Sequence, residues 1–121
     1  MSKEEEIAKL RDRCWPFGFS IGPGWYDLVL YLDRAIAALV GDYEVHQIKE
    51  KFGGLRYYIG GVAWEHPNRE DVDLLISVAE AASFSICEEC GGTGSQRVIR
   101  SWYRTLCDKC TEITEYAMKG L

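Results

Sequence analysis

Apolar residues recur at helical spacing in two long stretches of the chain, and each stretch predicts an amphipathic helix. The first runs from Trp25 to Val40, stops before Gly41, and has its apolar face at Leu28, Leu32, Ala35, Ile36 and Leu39. The second follows Asn68, a residue suited to cap a helix, and its predicted inward stripe is Val72, Leu75, Ile76, Ala79 and Ala82.

A shorter helix is predicted at the start of the chain, followed by a loop. Ser2 and Glu5 form a capping-box pattern, and we expect this helix to reach about Arg13. Residues 14–24 contain two Pro and three Gly, which predicts that no regular element forms there. The apolar residues of this loop are expected to pack onto the core: Cys14, Trp15, Phe17, Phe19 and Ile21.

Alternating apolar and polar residues predict a β-hairpin in the middle of the chain. Residues 43–50 and 55–59 have strand character, and residues 51–54 are expected to form the connecting loop, which contains two Gly. The alternation places Leu55, Tyr57 and Ile59 inward, and it turns Arg56 and Tyr58 outward.

Four of the five cysteines are spaced as metal ligands. Cys87 and Cys90 form one Cys-x-x-Cys pair, Cys107 and Cys110 form another, and this pattern is typical of four-cysteine zinc sites. Because all four positions would be filled by sulfur, we expect a structural Zn²⁺ without catalytic water. Two unrelated pairs of thiols are the alternative.

The residues around the cysteines predict the local fold of the site. Gly91 and Gly92 suit a tight turn, residues 96–106 have strand character, and a helix with an apolar stripe at Ile113, Tyr116 and Ala117 opens at the second pair and ends at Gly120. This order of knuckle, hairpin and helix is that of a treble-clef zinc finger.

Length and composition predict one small α+β domain. The 121 residues are 47% hydrophobic and 27% charged, which is typical of a globular chain. We expect a helix–hairpin–helix core in residues 1–84 and a zinc-finger subdomain in residues 85–121 that packs on it. The acidic N-terminus and the absence of a long apolar run predict a cytoplasmic protein without a membrane span.

The net charge of −5 argues against general binding of duplex nucleic acid, which needs a broad cationic face. Cations are nevertheless clustered beside aromatic residues in two segments. The candidate ligand-binding residues are Lys49, Lys51, Phe52, Arg56 and Tyr58 in the hairpin, Arg100, Trp102 and Arg104 near the cysteines, and Trp25. A plain hairpin with alternating faces is the alternative interpretation of the first segment.

Gly22-Pro23-Gly24 precedes the helix that starts at Trp25, and two interpretations are open. Free N–H groups at such a helix start can bind an anion. Alternatively, Asp27 satisfies them from within the first turn.

Several segments together resemble a family of small uncharacterised proteins of bacteria, prophages and phages. The similarity covers about residues 23–110, and its most specific part is the KFGGLR string at residues 51–56; the other segments are PGWYDL at 23–28, Ala79-Glu80, CEECG at 87–91 and WYRTLCD at 102–108. Many relatives have His where this chain has Cys110, a change that preserves zinc ligation. The resemblance implies a zinc site and a phage-like setting, and it implies no substrate.

The sequence favours a non-catalytic binding protein, because no hydrolase triad, metalloprotease motif or P-loop is present. The first hypothesis is sequestration of an anionic, nucleotide-like host signal as counter-defence. The second is an acidic adaptor or inhibitor that binds a host protein through the helix carrying Glu70, Asp71, Asp73 and Glu80. The third is a zinc finger that binds single-stranded nucleic acid.

Overall fold

A computed structural model describes residues 1–120 and has an α+β fold, which confirms the predicted class. Its helices are α1 (Lys3–Arg13), α2 (Tyr26–Val40), α3 (Arg69–Ser83) and α4 (Asp108–Met118); its strands are β1 (Phe19–Ser20), β2 (Glu44–Lys51), β3 (Gly54–Gly60), β4 (Ser95–Ile99) and β5 (Trp102–Leu106). The first three strands form one sheet in the order β1-β2-β3, and β4 and β5 form a separate hairpin. None of the helices in the described chain combines the length and apolarity needed to cross a bilayer.

The core lies around α2, which packs between α1, α3 and the sheet. Val29, Leu32 and Ile36 of α2 are at most 1% exposed. They share one apolar cluster with Leu10 of α1 and Leu55 of β3. Burying each aliphatic side chain of this kind contributes about 1.5–3 kcal/mol. The burial of Leu32 and Ile36 confirms these two residues of the predicted apolar stripe. Val29 is also buried but lies outside the predicted stripe, because neighbouring elements contact α2 on more than one side.

The loop after α1 contains a short strand, so the prediction of no regular element there is wrong. Phe19 pairs with Ile48 in parallel, and the Ile48 N–H donates to the Gly18 carbonyl at 3.2 Å. The partner of this short strand is the open edge of β2. Because β2 lies almost 30 residues further along the chain, no local sequence pattern predicts the pairing. Trp15 and Phe17 precede the paired residues and are 82% and 62% exposed, in contrast to the predicted packing. Cys14 is buried, as predicted.

The β2–β3 hairpin has a two-residue turn at Phe52 and Gly53, because Lys51 and Gly54 are already paired. Both turn residues have positive φ, 54° and 86°, as a tight hairpin turn requires. The register shifts between Val45 and Gln47, so His46 is the extra residue of a β-bulge. After the bulge the alternation holds, with Tyr57 buried and Tyr58 exposed.

Helix α3 covers the free edge of β3 with two side chains. Ser83 Oγ accepts a hydrogen bond from the Leu55 N–H at 2.9 Å, and Glu80 Oε2 accepts one from the Tyr57 N–H at 3.0 Å. The edge strand is therefore protected against pairing with another chain. At the other end of α3, Asn68 does not cap the helix with its side chain; instead, its Nδ2 donates to the Leu39 carbonyl at 2.7 Å.

Replacing Ser83 by Ala should lower the free energy of unfolding by about 1–3 kcal/mol, because the buried Leu55 N–H loses its acceptor. Ser77→Ala on the exposed face of the same helix is the matched control, and it should change stability by less than about 0.5 kcal/mol. Urea denaturation followed by circular dichroism measures both. Equal effects of the two variants would contradict this role of Ser83.

Candidate metal centre and its surroundings

The sulfur atoms of Cys87, Cys90, Cys107 and Cys110 lie within 4.8 Å of one another. Cys90 Sγ and Cys107 Sγ are 3.8 Å apart, and all four thiols are free of disulfides. A tetrahedral ion with metal–sulfur bonds of about 2.3 Å places its ligands about 3.8 Å apart. The cluster can therefore hold one metal ion with four sulfur ligands.

The first pair lies on a tight backbone turn, here called the knuckle (residues 87–92). The Cys87 N–H donates to the Gly92 carbonyl at 2.7 Å, and the Gly91 N–H donates to the Cys87 carbonyl at 2.9 Å. Gly91 has a φ of 82°, which favours glycine at this position. The Gly92 N–H donates to Cys90 Sγ at 3.4 Å, which lowers the pKa of that thiol, but the neighbouring Cys87 and Cys107 thiols outweigh this bond and raise the pKa.

The second pair lies at the start of α4. Cys107 is the N-cap residue, and its Sγ accepts from the Cys110 N–H at 3.3 Å. The positive end of the helix dipole by itself favours a thiolate at Cys110, in the first turn of the helix. The rest of α4 contributes little packing: Ile113 and Tyr116 of its apolar stripe are 57% and 77% exposed.

The pKa values of Cys87 and Cys110 are shifted in opposite directions. Burial by itself would raise the pKa of Cys87, but N–H groups of Cys90, Cys107 and Glu89 lower that pKa to about 6. The neighbouring sulfurs, Cys107 first, raise the pKa of Cys110 to about 12. A divalent cation supplies the positive charge that lets all four deprotonate, so metal binding releases protons.

The turn at residues 22–25 packs directly against the knuckle. The Gly24 N–H donates to the Glu88 carbonyl at 2.7 Å, and Trp25 Nε1 donates to the Ile86 carbonyl at 2.8 Å. A side chain at Gly24 would overlap the Cys87 carbonyl oxygen. Only glycine permits this approach, which joins the metal site to the core.

Glu88 supplies the anion that the Gly-Pro-Gly turn binds. Its Oε2 accepts from the Gly22 N–H at 2.9 Å, whereas Asp27, expected to satisfy such donors, is exposed and pairs with Lys3 at 3.0 Å. Burial raises the pKa of Glu88, and the Gly22 N–H and Arg104 oppose the shift. Neither the external anion site nor the Asp27 cap is therefore formed as predicted. The sequence contains no local signal for Glu88, because Gly22 lies 66 residues away.

The predicted ligand-binding residues do not form one site. Trp25 has no exposed surface, so its ring is not accessible to a ligand. Arg104 lies 3.4 Å from Glu88 and 2.9 Å from Glu89, which assigns it to a structural ion-pair network. Trp102 is 69% exposed. It lies with Arg100 at the turn of the β4–β5 hairpin, at the opposite end of the hairpin from Cys107.

The other five predicted residues lie together on the outer face of the sheet and at its β2–β3 turn. Lys49 is directly opposite Arg56, and its Nζ lies 5.9 Å from the centre of the Tyr58 ring. Lys51 follows on the same face, with its Nζ 5.7 Å from the Phe52 ring. Among residues 1–120, no carboxylate lies within ion-pair distance of Lys49, Lys51 or Arg56.

Three residues that the sequence analysis missed extend this surface at both ends. Tyr103 of β5 packs edge-on against Phe52, with ring centres 6.4 Å apart. At the other end of the surface, the His46 ring fills the space that a side chain at Gly60 would occupy, on the same face as Tyr58. The centre of the Phe17 ring lies 5.7 Å from the centre of the His46 ring. We call this surface the open strip; its members are Phe17, His46, Lys49, Lys51, Phe52, Arg56, Tyr58 and Tyr103.

No protein-family model, curated protein or solved structure matches the chain. The resemblance to small bacterial and phage proteins therefore stays a prediction. The function has to be inferred from the residues and their geometry.

Replacing Gly24 by Ala should displace the knuckle, because the new methyl group overlaps backbone that cannot move freely. We expect weaker metal retention and a lower midpoint of unfolding. Release of metal to a colorimetric chelator, followed over time, measures the first effect. Gly120→Ala meets no atom within 4 Å and is the control. Metal release at the same rate in both variants would argue against the contact between Gly24 and the knuckle.

Proposed function

We propose that the protein is a non-catalytic, zinc-containing protein that binds single-stranded nucleic acid along the open strip. The observation that carries this proposal is the set of three cations without acidic partners in the described chain, Lys49, Lys51 and Arg56, flanked by exposed aromatic rings. Cations that follow a phosphate backbone, together with rings that stack on bases, are the usual means of binding single strands.

The dimensions of the strip favour a strand over a single nucleotide. Residues 46–51 of β2 span about 17 Å at about 3.3 Å per residue, and Phe52 follows in the turn. Stacking on Phe52, Tyr58 and Tyr103 requires bases that are not already paired, which favours single strands over duplexes. The net charge of −5 also disfavours a broad duplex surface. A nucleotide-like signal, the first hypothesis from the sequence, would contact the same cations but would cover only part of the strip.

Zinc is the metal that best suits four sulfur ligands at tetrahedral spacing, and a treble-clef-like finger is the arrangement we propose for residues 87–118. The metal site also bears on the strip. Thr105 Oγ1 donates to the Gly53 carbonyl at 2.6 Å, and Gln96 Nε2 donates to the Phe52 carbonyl at 2.9 Å. The zinc-held hairpin thus fixes Phe52 beside Tyr103.

The alternative of an acidic adaptor has less support. Of the acidic residues on α3, Asp73 pairs with Arg69 at 3.1 Å and Glu80 binds the Tyr57 N–H. Two of the four predicted contact residues are therefore engaged within the chain. A cytoplasmic location, where thiols stay reduced, suits both the zinc site and the proposed ligand. If the protein comes from a phage, we propose a nucleic acid of the host as the target.

Purified protein should contain one zinc ion per chain by elemental analysis. Cys107→Ser should lose this ion, because oxygen is a poor substitute for a thiolate ligand. Cys14→Ala, which removes the one cysteine outside the cluster, should keep it. Zinc retained at full stoichiometry after loss of Cys107 would refute the four-sulfur site.

Arg56→Ala should weaken binding to a fluorescently labelled oligothymidylate of twelve nucleotides, and fluorescence anisotropy measures the dissociation constant. Three phosphate contacts predict that log K falls with log salt at a slope of about −2, or about 20-fold between 50 and 200 mM salt. The variant should bind more weakly and have a shallower slope, by about 0.7. Lys9→Ala, an equal change of charge on α1, should have little effect.

Two outcomes would contradict the proposal. Equal losses in the Arg56→Ala and Lys9→Ala variants would indicate an effect of net charge instead of a site. Tight binding of cyclic or linear mononucleotides in calorimetry, without binding of the oligonucleotide, would restore the small-ligand hypothesis.

A further inference from the structure

A cleft of about 300 Å³ opens beside one end of the open strip. Its walls include Trp15 and Phe17 from the loop after α1, Tyr43, Glu44 and His46 from the start of β2, and Arg13 from the end of α1. Phe17 and His46 belong to both the cleft and the open strip. A ligand lying along the strip can therefore reach the cleft without leaving the surface.

Two aromatic rings at this cleft are exposed without an evident role in the fold. Trp15 is 82% exposed and Phe17 is 62% exposed. Large rings at the surface lose the stabilisation that burial would give them. Exposed aromatic side chains beside a cleft are a common feature of binding sites for planar groups.

Two residues that line the cleft, Arg13 and Tyr43, are held by a network of hydrogen bonds. Arg13 Nη1 lies 3.0 and 2.9 Å from the two oxygens of Asp33, and the Tyr43 hydroxyl donates to Asp33 Oδ1 at 2.6 Å. The Tyr57 hydroxyl lies 2.6 Å from that of Tyr43. The Arg13 guanidinium also lies 5.2 Å from the centre of the Tyr43 ring. Such a network positions the cleft residues before a ligand arrives.

The charges of the cleft favour a neutral ligand with polar edges. Arg13 has N–H groups beyond the one that binds Asp33. The Glu44 side chain is 68% exposed, and its Oε2 lies 3.8 Å from Nε2 of His46, which also lines the cleft. The Arg13 guanidinium donates hydrogen bonds and the Glu44 carboxylate accepts them. Together they suit an uncharged planar group that both accepts and donates hydrogen bonds, better than they suit a lone anion or a lone cation. The volume, about 300 Å³, is at the small end of ligand sites and suits one ring system.

We infer that this cleft binds one unstacked base of the strand that lies on the open strip. The inference rests on the proposed function and adds to it a defined position for one nucleotide. Trp15 and Phe17 would contact the faces of the base, and Arg13 and Glu44 would contact its edge.

The test uses the shortest oligothymidylate that keeps full affinity, so that the strand can bind the strip in one register, and a single abasic position is moved along it. For the wild-type protein, one abasic position should weaken binding by about tenfold more than its neighbours, because base–aromatic stacking is lost there. Trp15→Ala and Phe17→Ala should each weaken binding of the intact strand by about the same factor, and they should remove the sensitivity to that position. Trp15→Phe, which keeps a ring, should restore most of the affinity.

Trp64→Ala is the matched control, because Trp64 is 76% exposed and stacks on Arg69 outside the cleft. If the Trp15→Ala and Phe17→Ala variants both bind with wild-type affinity while Arg56→Ala still weakens binding, this inference is wrong and the proposed function stands. Failure of the wild-type protein to bind any strand would overturn the proposed function as well. Adenosine monophosphate bound as tightly as the strand would show a mononucleotide site and overturn the inference.

Discussion

The structure depends most on the contact between the turn at residues 22–25 and the backbone of the knuckle. Gly24 and Trp25 donate hydrogen bonds to the carbonyls of Glu88 and Ile86, and the Trp25 ring is buried in the main core. The C-terminal part has a small core of its own, centred on Cys87, Ile99 and Leu106. Such a unit needs a metal or a partner surface to be stable. The contact provides the surface, and it couples the metal site to the start of α2.

The same coupling reaches the open strip through the β2–β3 turn. Phe52 and Gly53 adopt positive φ, and their backbone is held by Glu50, Gln96 and Thr105. Two of these three residues belong to the hairpin that leads into the cysteine cluster. In the proposed function, a metal held by the cysteine cluster would orient the aromatic residues at one end of the strip and would perform no chemistry. The Arg13–Asp33–Tyr43 network performs the corresponding task at the other end, beside the cleft.

Local patterns predicted the parts of the site whose geometry depends on a few neighbouring residues. The Cys-x-x-Cys spacing identified the four sulfurs, since two intervening residues bring both thiols of a pair toward one ion. Alternation in β3 placed Arg56 and Tyr58 outward. Local patterns also suggest Trp25 as a candidate ligand-binding residue, and this prediction is wrong because Trp25 has no exposed area. Its hydrogen-bond acceptor, the Ile86 carbonyl, lies 61 residues further along the chain, and no local spacing contains that information.

The sequence by itself determined the fold class, the cysteine cluster, the ends of α1 and the outward orientation of Arg56, because hydrogen-bond periodicity and short-range geometry decide these features. Only the tertiary structure decided which cations remain free of acidic partners and which aromatic rings lie beside them. Arg104 is paired because Glu88 is buried against it, whereas Arg56 is unpaired because it faces Lys49 across the strands. Phe17, His46 and Tyr103 join the strip through a parallel strand, a bulge and a second hairpin. Each of these is a long-range contact, whose free energy depends on how the elements pack together.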